Sequence, residues 1–252
     1  MHTEEKIEYD WTRGYLPGWA KMLICVLGVL LILLIVFRVK NFEVSGNVRY
    51  TAEEIADASG ISDGDMLLGV NKIRAAGRIL TNLPYIERLE IHRYLPGTVS
   101  FEVEECSAAG VLVSEFSALW LVNSEGKLLE RVDATDAVSY TQVTGVSLVL
   151  PSGGDQATFD DEEKGKLAME LLNLVVDSGL SGQISTISME DANNIVMVYN
   201  NALELQLGTA ENAAYQLAYF QAVKSKLSSD AAGTLDLTFT ERDAAIYHPV
   251  SS

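Results

Sequence analysis

The chain has 252 residues with 35 Asp and Glu against 18 Lys and Arg, a formal net charge of -17, and such a field opposes nucleic acid, whose phosphates require cations. It also disfavours anionic lipid head groups and wall polymers unless the fold gathers a local basic patch, so a protein with a basic surface is the better-matched partner. The length allows one or two domains of ordinary size.

The first element is an apolar run, Met22 to Phe37, with no charged side chain, extended by Trp19, Ala20 and Val39 to the roughly 20 residues that cross a hydrocarbon core. A buried helix of a soluble protein would keep a polar stripe, which this run lacks on every face. A cleaved signal peptide would carry a shorter run, and here Arg38 and Lys40 follow directly. The expectation is a retained single-pass anchor over 22–39 behind a tail over 1–21, with Trp11, Tyr15 and Trp19 suited to the interface. Lys6, Arg13 and Lys21 balance Arg38, Lys40 and Arg49, so charge alone leaves the orientation open. Cys25 lies in the run and Cys106 far beyond it, which argues against an intrachain disulfide.

Past the run, Phe42 and Val44 start a strand that ends at the turn Ser45-Gly46-Asn47. Thr51 and Glu54 form a capping box, which predicts a helix closing at Gly60. A second helical pattern runs from Asn71 to Asn82 and stops before Pro84. Two alternating runs, Ile86-Leu89-Ile91 and Val99-Phe101-Val103, flank Leu95-Pro96-Gly97 as a hairpin. Ile55, Ile73, Leu80, Ile91 and Phe101 are the expected core. The segments FEVSGN, SGIxxGD, LPYIERLEI and RYLPGTVSFEVEE, in this order after an anchor, resemble the POTRA domain of the FtsQ/DivIB family of bacterial division proteins. Cys106 departs from that pattern, where the family often continues with a basic residue and a proline.

Ala118 to Val122 and Lys127 to Arg131 flank Asn123-Ser124-Glu125-Gly126 as a second hairpin. A helix is predicted between Thr158 and Ser178, with Leu167, Leu171, Leu174 and Val175 on one stripe and an acidic first turn. Three strands follow at Ile184 to Ser188, Ile195 to Tyr199 and Leu203 to Leu207, the last two joined at Asn200-Asn201. Another helix starts near Thr209, after which Leu235, Leu237 and Phe239 restore the strand period. The fold class is therefore α+β: a transmembrane helix, a POTRA domain of β-α-α-β-β order over 40–106, and a mixed β-sheet domain with two or more helices over 107–250.

Residues that could carry chemistry are scattered. His2, His92 and His248 show no cysteine or carboxylate at metal-ligand spacing, and no serine sits in a Gly-x-Ser-x-Gly or Ser-x-x-Lys context. Ser152-Gly153-Gly154-Asp155 lacks the Lys of a phosphate loop and reads as a surface loop. No catalytic, cofactor or metal residue is assigned. What the resemblance implies is a binding role. GTLDLTFTERDAAIYHP corresponds to the last strands of the family's β domain, the edge that takes a partner strand, with Leu237, Phe239, Ile246 and Tyr247 as the partner-binding residues. It implies FtsL and DivIC/FtsB-type proteins as partners, coupling to the septal peptidoglycan synthase complex, a cytoplasmic N-terminus and a site at the division septum. A POTRA-bearing chaperone or secretion component is the alternative, and a cell-wall enzyme a weaker one.

Overall fold

The computed structural model describes residues 17–227, 231–238 and 245–249. Helix α1, Gly18–Val36, has none of its residues buried against the rest of the chain, and by length and composition it can cross a membrane. It ends sooner than the apolar run. Phe37 caps it, donating its N–H to the Leu33 carbonyl, and the Phe37 carbonyl accepts from the Leu67 N–H at 2.9 Å. Val39, expected inside the span, is instead fully buried beside Ile55, Leu67 and Phe101. Its N–H donates to Asp65 O and its carbonyl accepts from Gly64 N. Hydropathy could not separate these fates, because bilayer and protein core both reward removal of a valine from water.

The first domain follows at once. Strand β1, Asn41–Ser45, lies parallel to β3, Thr98–Glu105, which pairs antiparallel with β2, Ile86–Tyr94, giving the order β1-β3-β2. Helices α2, Ala52–Ser59, and α3, Lys72–Asn82, pack on this sheet. The capping box forms as the sequence requires: Glu54 N–H donates to Thr51 Oγ1 and Thr51 N–H to the Glu54 carboxylate, while Gly60 closes the helix at φ 67°. The Thr51 groups also hold the Glu54 carboxyl below its ordinary range. Asn71 caps α3 through the Arg74 N–H. Gly46 is required at its turn, since φ is 83° and a β-carbon would strike the Val103 carbonyl.

Phe101 anchors this core, stacked on Phe42 with Ile55, Ile79, Ile86 and Val99 around it. Ile73, expected in the core, is 87 % exposed, and Leu80 is only half-buried. The buried stripe of α3 is Ala75 and Ile79, one turn apart. Small Ala75 was passed over in favour of a larger neighbour that points to solvent.

The second domain is a nine-stranded mixed sheet in the order β12-β11-β10-β9-β8-β7-β4-β5-β6. Its strands are β4 Gly110–Ser114, β5 Leu119–Val122, β6 Leu128–Val132, β7 Gln142–Leu148, β8 Ile184–Ser188, β9 Ile195–Tyr199, β10 Leu203–Gly208, β11 Gly233–Asp236 and β12 Ile246–Pro249. The one-turn helix α4, Ala134–Ala137, lies between β6 and β7. Helix α5, Glu162–Asp177, crosses between the parallel strands β7 and β8, and α6, Ala213–Val223, between the parallel strands β10 and β11. Leu171, Leu172 and Val175 of α5 and Leu217 and Phe220 of α6 join one core with the sheet. Asp161 caps α5, and Asn200 and Asn201 take the positive φ angles of the β9–β10 turn. Strands β4 and β7 were not anticipated. Gly145, at φ 87° and pressed on the Met189 backbone, interrupts the alternation of β7, and the β4–β7 register shifts nearby.

The two domains meet along a built seam. Tyr85, Val111, Leu121, Leu129 and Ala137 share an apolar cluster, against which Tyr50 and Cys106 pack. The Tyr85 hydroxyl donates to Glu130 at 2.5 Å, Arg49 pairs with the same carboxylate at 3.1 Å, and its guanidinium lies 3.8 Å from the Tyr85 ring centroid. Glu105 accepts from the Arg49 and Tyr50 N–H groups. Lys127, largely buried, donates its ammonium to the Ile86 carbonyl at 2.8 Å. Burial pulls the Lys127 ammonium down from its usual range and, with the Glu130 hydrogen bond, pushes the Tyr85 hydroxyl up. The loop Ser152–Gly154, read as free surface, abuts the end of α3, with a β-carbon at Gly154 only 3.1 Å from Thr81 O.

Phe101→Ala is expected to cost about 3–5 kcal/mol and Ile73→Ala no more than about 0.5 kcal/mol, as read by urea denaturation of the chain in detergent micelles. Glu130→Ala removes the acceptor shared by Tyr85 and Arg49. Because the Arg49 side chain is half exposed, the ion pair adds little, and a loss of about 1.5–3 kcal/mol is expected from the Tyr85 bond. Limited proteolysis between Glu105 and Gly110 should accelerate with it. Unchanged cleavage would show that the apolar seam holds the domains by itself.

Candidate partner-binding edge

Strand β12 stands at one end of the nine-stranded sheet and pairs only with β11. Its register sets Asp236 opposite Ile246, Leu235 opposite Tyr247, Thr234 opposite His248 and Gly233 opposite Pro249. All four β12 residues are exposed, so on its outer side the strand offers backbone N–H and C=O groups with no neighbouring strand among the described residues. Pro249 cannot donate, which suits a terminal strand.

The inner side of this edge is tightly fixed. Gly233, at φ 137°, lets β11 approach β12 so closely that a β-carbon would collide with the His248 carbonyl. The buried Gln216 of α6 donates from Nε2 to Leu207 O and Leu237 O, at 2.9 and 2.8 Å, tying the ends of β10 and β11 to the helix. Asp236 accepts from the Thr238 N–H and hydroxyl, which hold its carboxyl below the usual range. These contacts fix the backbone beneath β12.

The four residues assigned to partner binding from sequence divide. Ile246 is 56 % exposed and Tyr247 38 % exposed on the terminal strand, and the Tyr247 hydroxyl donates to Ala232 O at 2.9 Å. Leu237 stands apart from them: its side chain is fully buried in the domain core with Leu205, Leu207 and Phe220, and its N–H and carbonyl are taken by Gln206 O and Gln216 Nε2, so it offers nothing to the open edge. Phe239 lies outside the described residues. His248, noted in the sequence only as a histidine without metal-ligand spacing, is exposed beside Tyr247 and faces Thr234. A strand of four residues with one proline carries too little periodicity for such a position to stand out.

One grouping of ligand-bearing side chains forms across two strands. Glu90 and His92 on β2 share a face with Glu102 on β3, and ligand atoms of the three lie within 4.8 Å of one another. The spacing of two residues along a strand places Glu90 and His92 on the same side, with His92 Nε2 3.2 Å from the Glu90 carboxylate. The two glutamates are exposed, and the arrangement serves as a solvated ion pair when the imidazole is protonated.

Comparison with known proteins matches residues 37–105 to the family model described as POTRA domain, FtsQ-type, and residues 112–238 to that described as cell division protein FtsQ/DivIB, C-terminal. The chain is 26 % identical over 201 residues to the cell division protein FtsQ of Corynebacterium glutamicum, covering 77 % of this chain and 82 % of that protein. It is 25 % identical over 224 residues to the cell division protein DivIB of Clostridium botulinum, covering 86 % of this chain and 85 % of that one. A shorter match, 31 % over 108 residues, reaches the cell division protein FtsQ of Geobacter sp., covering 43 % of this chain and 38 % of that protein. With the β-domain match alone spanning half of the sequence and the POTRA match standing directly before it, the chain belongs to the FtsQ/DivIB family of cell division proteins.

Proposed function

We propose that this protein is a membrane-anchored scaffold of the division machinery that works by binding and performs no catalysis of its own. Its tail ends ahead of α1 on the cytoplasmic side, α1 crosses the membrane, and both folded domains stand outside it at the septum. The observation that carries this reading is β12, a terminal strand with an open backbone edge and exposed Ile246 and Tyr247. An extracytoplasmic segment of a DivIC/FtsB-type protein, paired with FtsL, would add to that edge as a further strand: main-chain bonds give affinity and the side chains give choice.

The acidic surface favours a partner segment bearing cations. Anchoring in a plane supports assembly with other tethered proteins, because confinement raises effective concentration without any new contact. Through those partners the scaffold would couple to the septal peptidoglycan synthase complex.

Tyr247→Glu places a charge on the proposed interface without touching the buried core. It is expected to weaken co-purification of the DivIC/FtsB-type partner with the full-length protein at least about tenfold, the loss of one central contact, while its melting curve stays unchanged. Unaltered recovery would remove this residue from the interface. A fluorescent fusion should band at midcell, and a signal spread evenly around the envelope would favour a general chaperone of exported chains.

A further inference from the structure

The passage from α1 into the first domain is too short to leave that domain free of the membrane. Helix α1 has 19 residues, about 28 Å at the α-helical rise, against a hydrocarbon core of about 30 Å. Both of its ends therefore fall at the head-group boundary. Beyond Val36 the chain has only Phe37 and Arg38 before Val39 is buried in the domain core. Three extended steps reach about 11 Å at most, little more than the head-group layer itself.

Apolar and basic side chains surround this passage, together with the exposed Asp63 and Asp65 of the loop that binds Val39. Met66 and Leu68 flank Leu67, whose N–H is bound to the Phe37 carbonyl, and Met66 bridges Arg38. The β2–β3 turn is the other flank, since Lys40 donates its N–H to Gly97 O. Met66, Leu68, Tyr94 and Leu95 are 45 %, 63 %, 52 % and 64 % exposed, although each lies in or beside a segment that contacts the residues following α1. Arg38 and Arg93 lie among them. Each binds backbone carbonyls, Arg38 those of Leu34 and Gly64 and Arg93 that of Leu68, and neither forms an ion pair with a carboxylate among the described residues.

We propose that this face of the POTRA domain is seated in the head-group layer of the bilayer that α1 crosses, with Met66, Leu68, Tyr94 and Leu95 entering the boundary and Arg38 and Arg93 meeting lipid phosphates. The seat rests on the reading of α1 as a membrane span. Side chains with an apolar body and a polar or charged tip are stable at that depth, and anionic lipid rewards cations held near its surface. Arg38 and Arg93 stand free of carboxylate partners among the described residues, within a chain of strongly negative net charge and near the exposed Asp63 and Asp65. Orientation follows: a domain held at α1 and at two flanking loops cannot swing freely, so its tilt above the membrane is fixed.

The test uses the full chain in vesicles of phosphatidylethanolamine and phosphatidylglycerol, with single cysteines carrying an environment-sensitive dye. With Cys106 replaced by serine throughout, native Cys25 reports on the span, and with Cys25 also replaced, Leu68→Cys and Leu95→Cys report on the proposed seat and Val138→Cys on an exposed point of the second domain. Lipids bearing a nitroxide at mid-chain should quench the dye at position 25. Lipids bearing it at the head group should quench and blue-shift the dyes at 68 and 95 and leave that at 138 unaffected. If position 25 is quenched while 68 and 95 behave like 138, the seat is overturned and the anchor stands. Without quenching at 25, both readings fall. Equal quenching at 68, 95 and 138 would overturn the assignment to this face.

Discussion

The fold begins where α1 hands the chain to the first domain, and the hydrogen bond from Leu67 N–H to the Phe37 carbonyl is the first contact of that transfer. Once the helix ends, its last carbonyls need partners, and the loop over 64–67 supplies one while Val39 is drawn into the core. The helix and the sheet thus share one fixed point. Had a polar linker followed Val36, the same sequence of elements would hang on a tether and its height above the membrane would be arbitrary.

A second constraint carries this fixed point outward. The seam between the domains combines an apolar cluster with hydrogen bonds centred on Tyr85, Glu130 and Lys127. Apolar contact alone tolerates sliding, whereas these directed bonds select one arrangement. Cys106, where the family pattern is departed from, lies inside this seam with its thiol pushed up by burial, and its N–H donates to Tyr85 O. The join between the domains is therefore a packed corner.

At the far end stands β12, held by Gly233 and, through α6, by Gln216. An exposed strand edge is a hazard for any sheet protein, since it invites pairing with whatever strand approaches. Here the described edge strand is short, exposed on all four residues and carries a proline, which limits indiscriminate addition. For the strand addition proposed above, fixed packing beneath the edge would lower the ordering cost of binding.

Much of this was legible in the residues themselves. The Thr51–Glu54 capping box, the β2–β3 hairpin and the Asn200–Asn201 turn are local patterns whose physics is complete within a few positions, and each forms where the residues call for it; the apolar run forms its helix but gives up Val39 to the domain core. The sequence could not distinguish Ile73 from Ala75 on α3, because periodicity marks a face without saying how closely the sheet approaches it. Nor could it separate Leu237 from Ile246, two apolar residues near one strand edge, one sealed under α6 and the other open to solvent. Strand β7 was hidden by the bulge at Gly145, and the seam by the distance in sequence between Arg49, Tyr85 and Glu130. Local order was set by residues a few positions apart; which side chains face water was decided only when segments far apart in the chain, such as those of Arg49 and Glu130, closed on one another, since burial belongs to the packed assembly of elements rather than to any one of them.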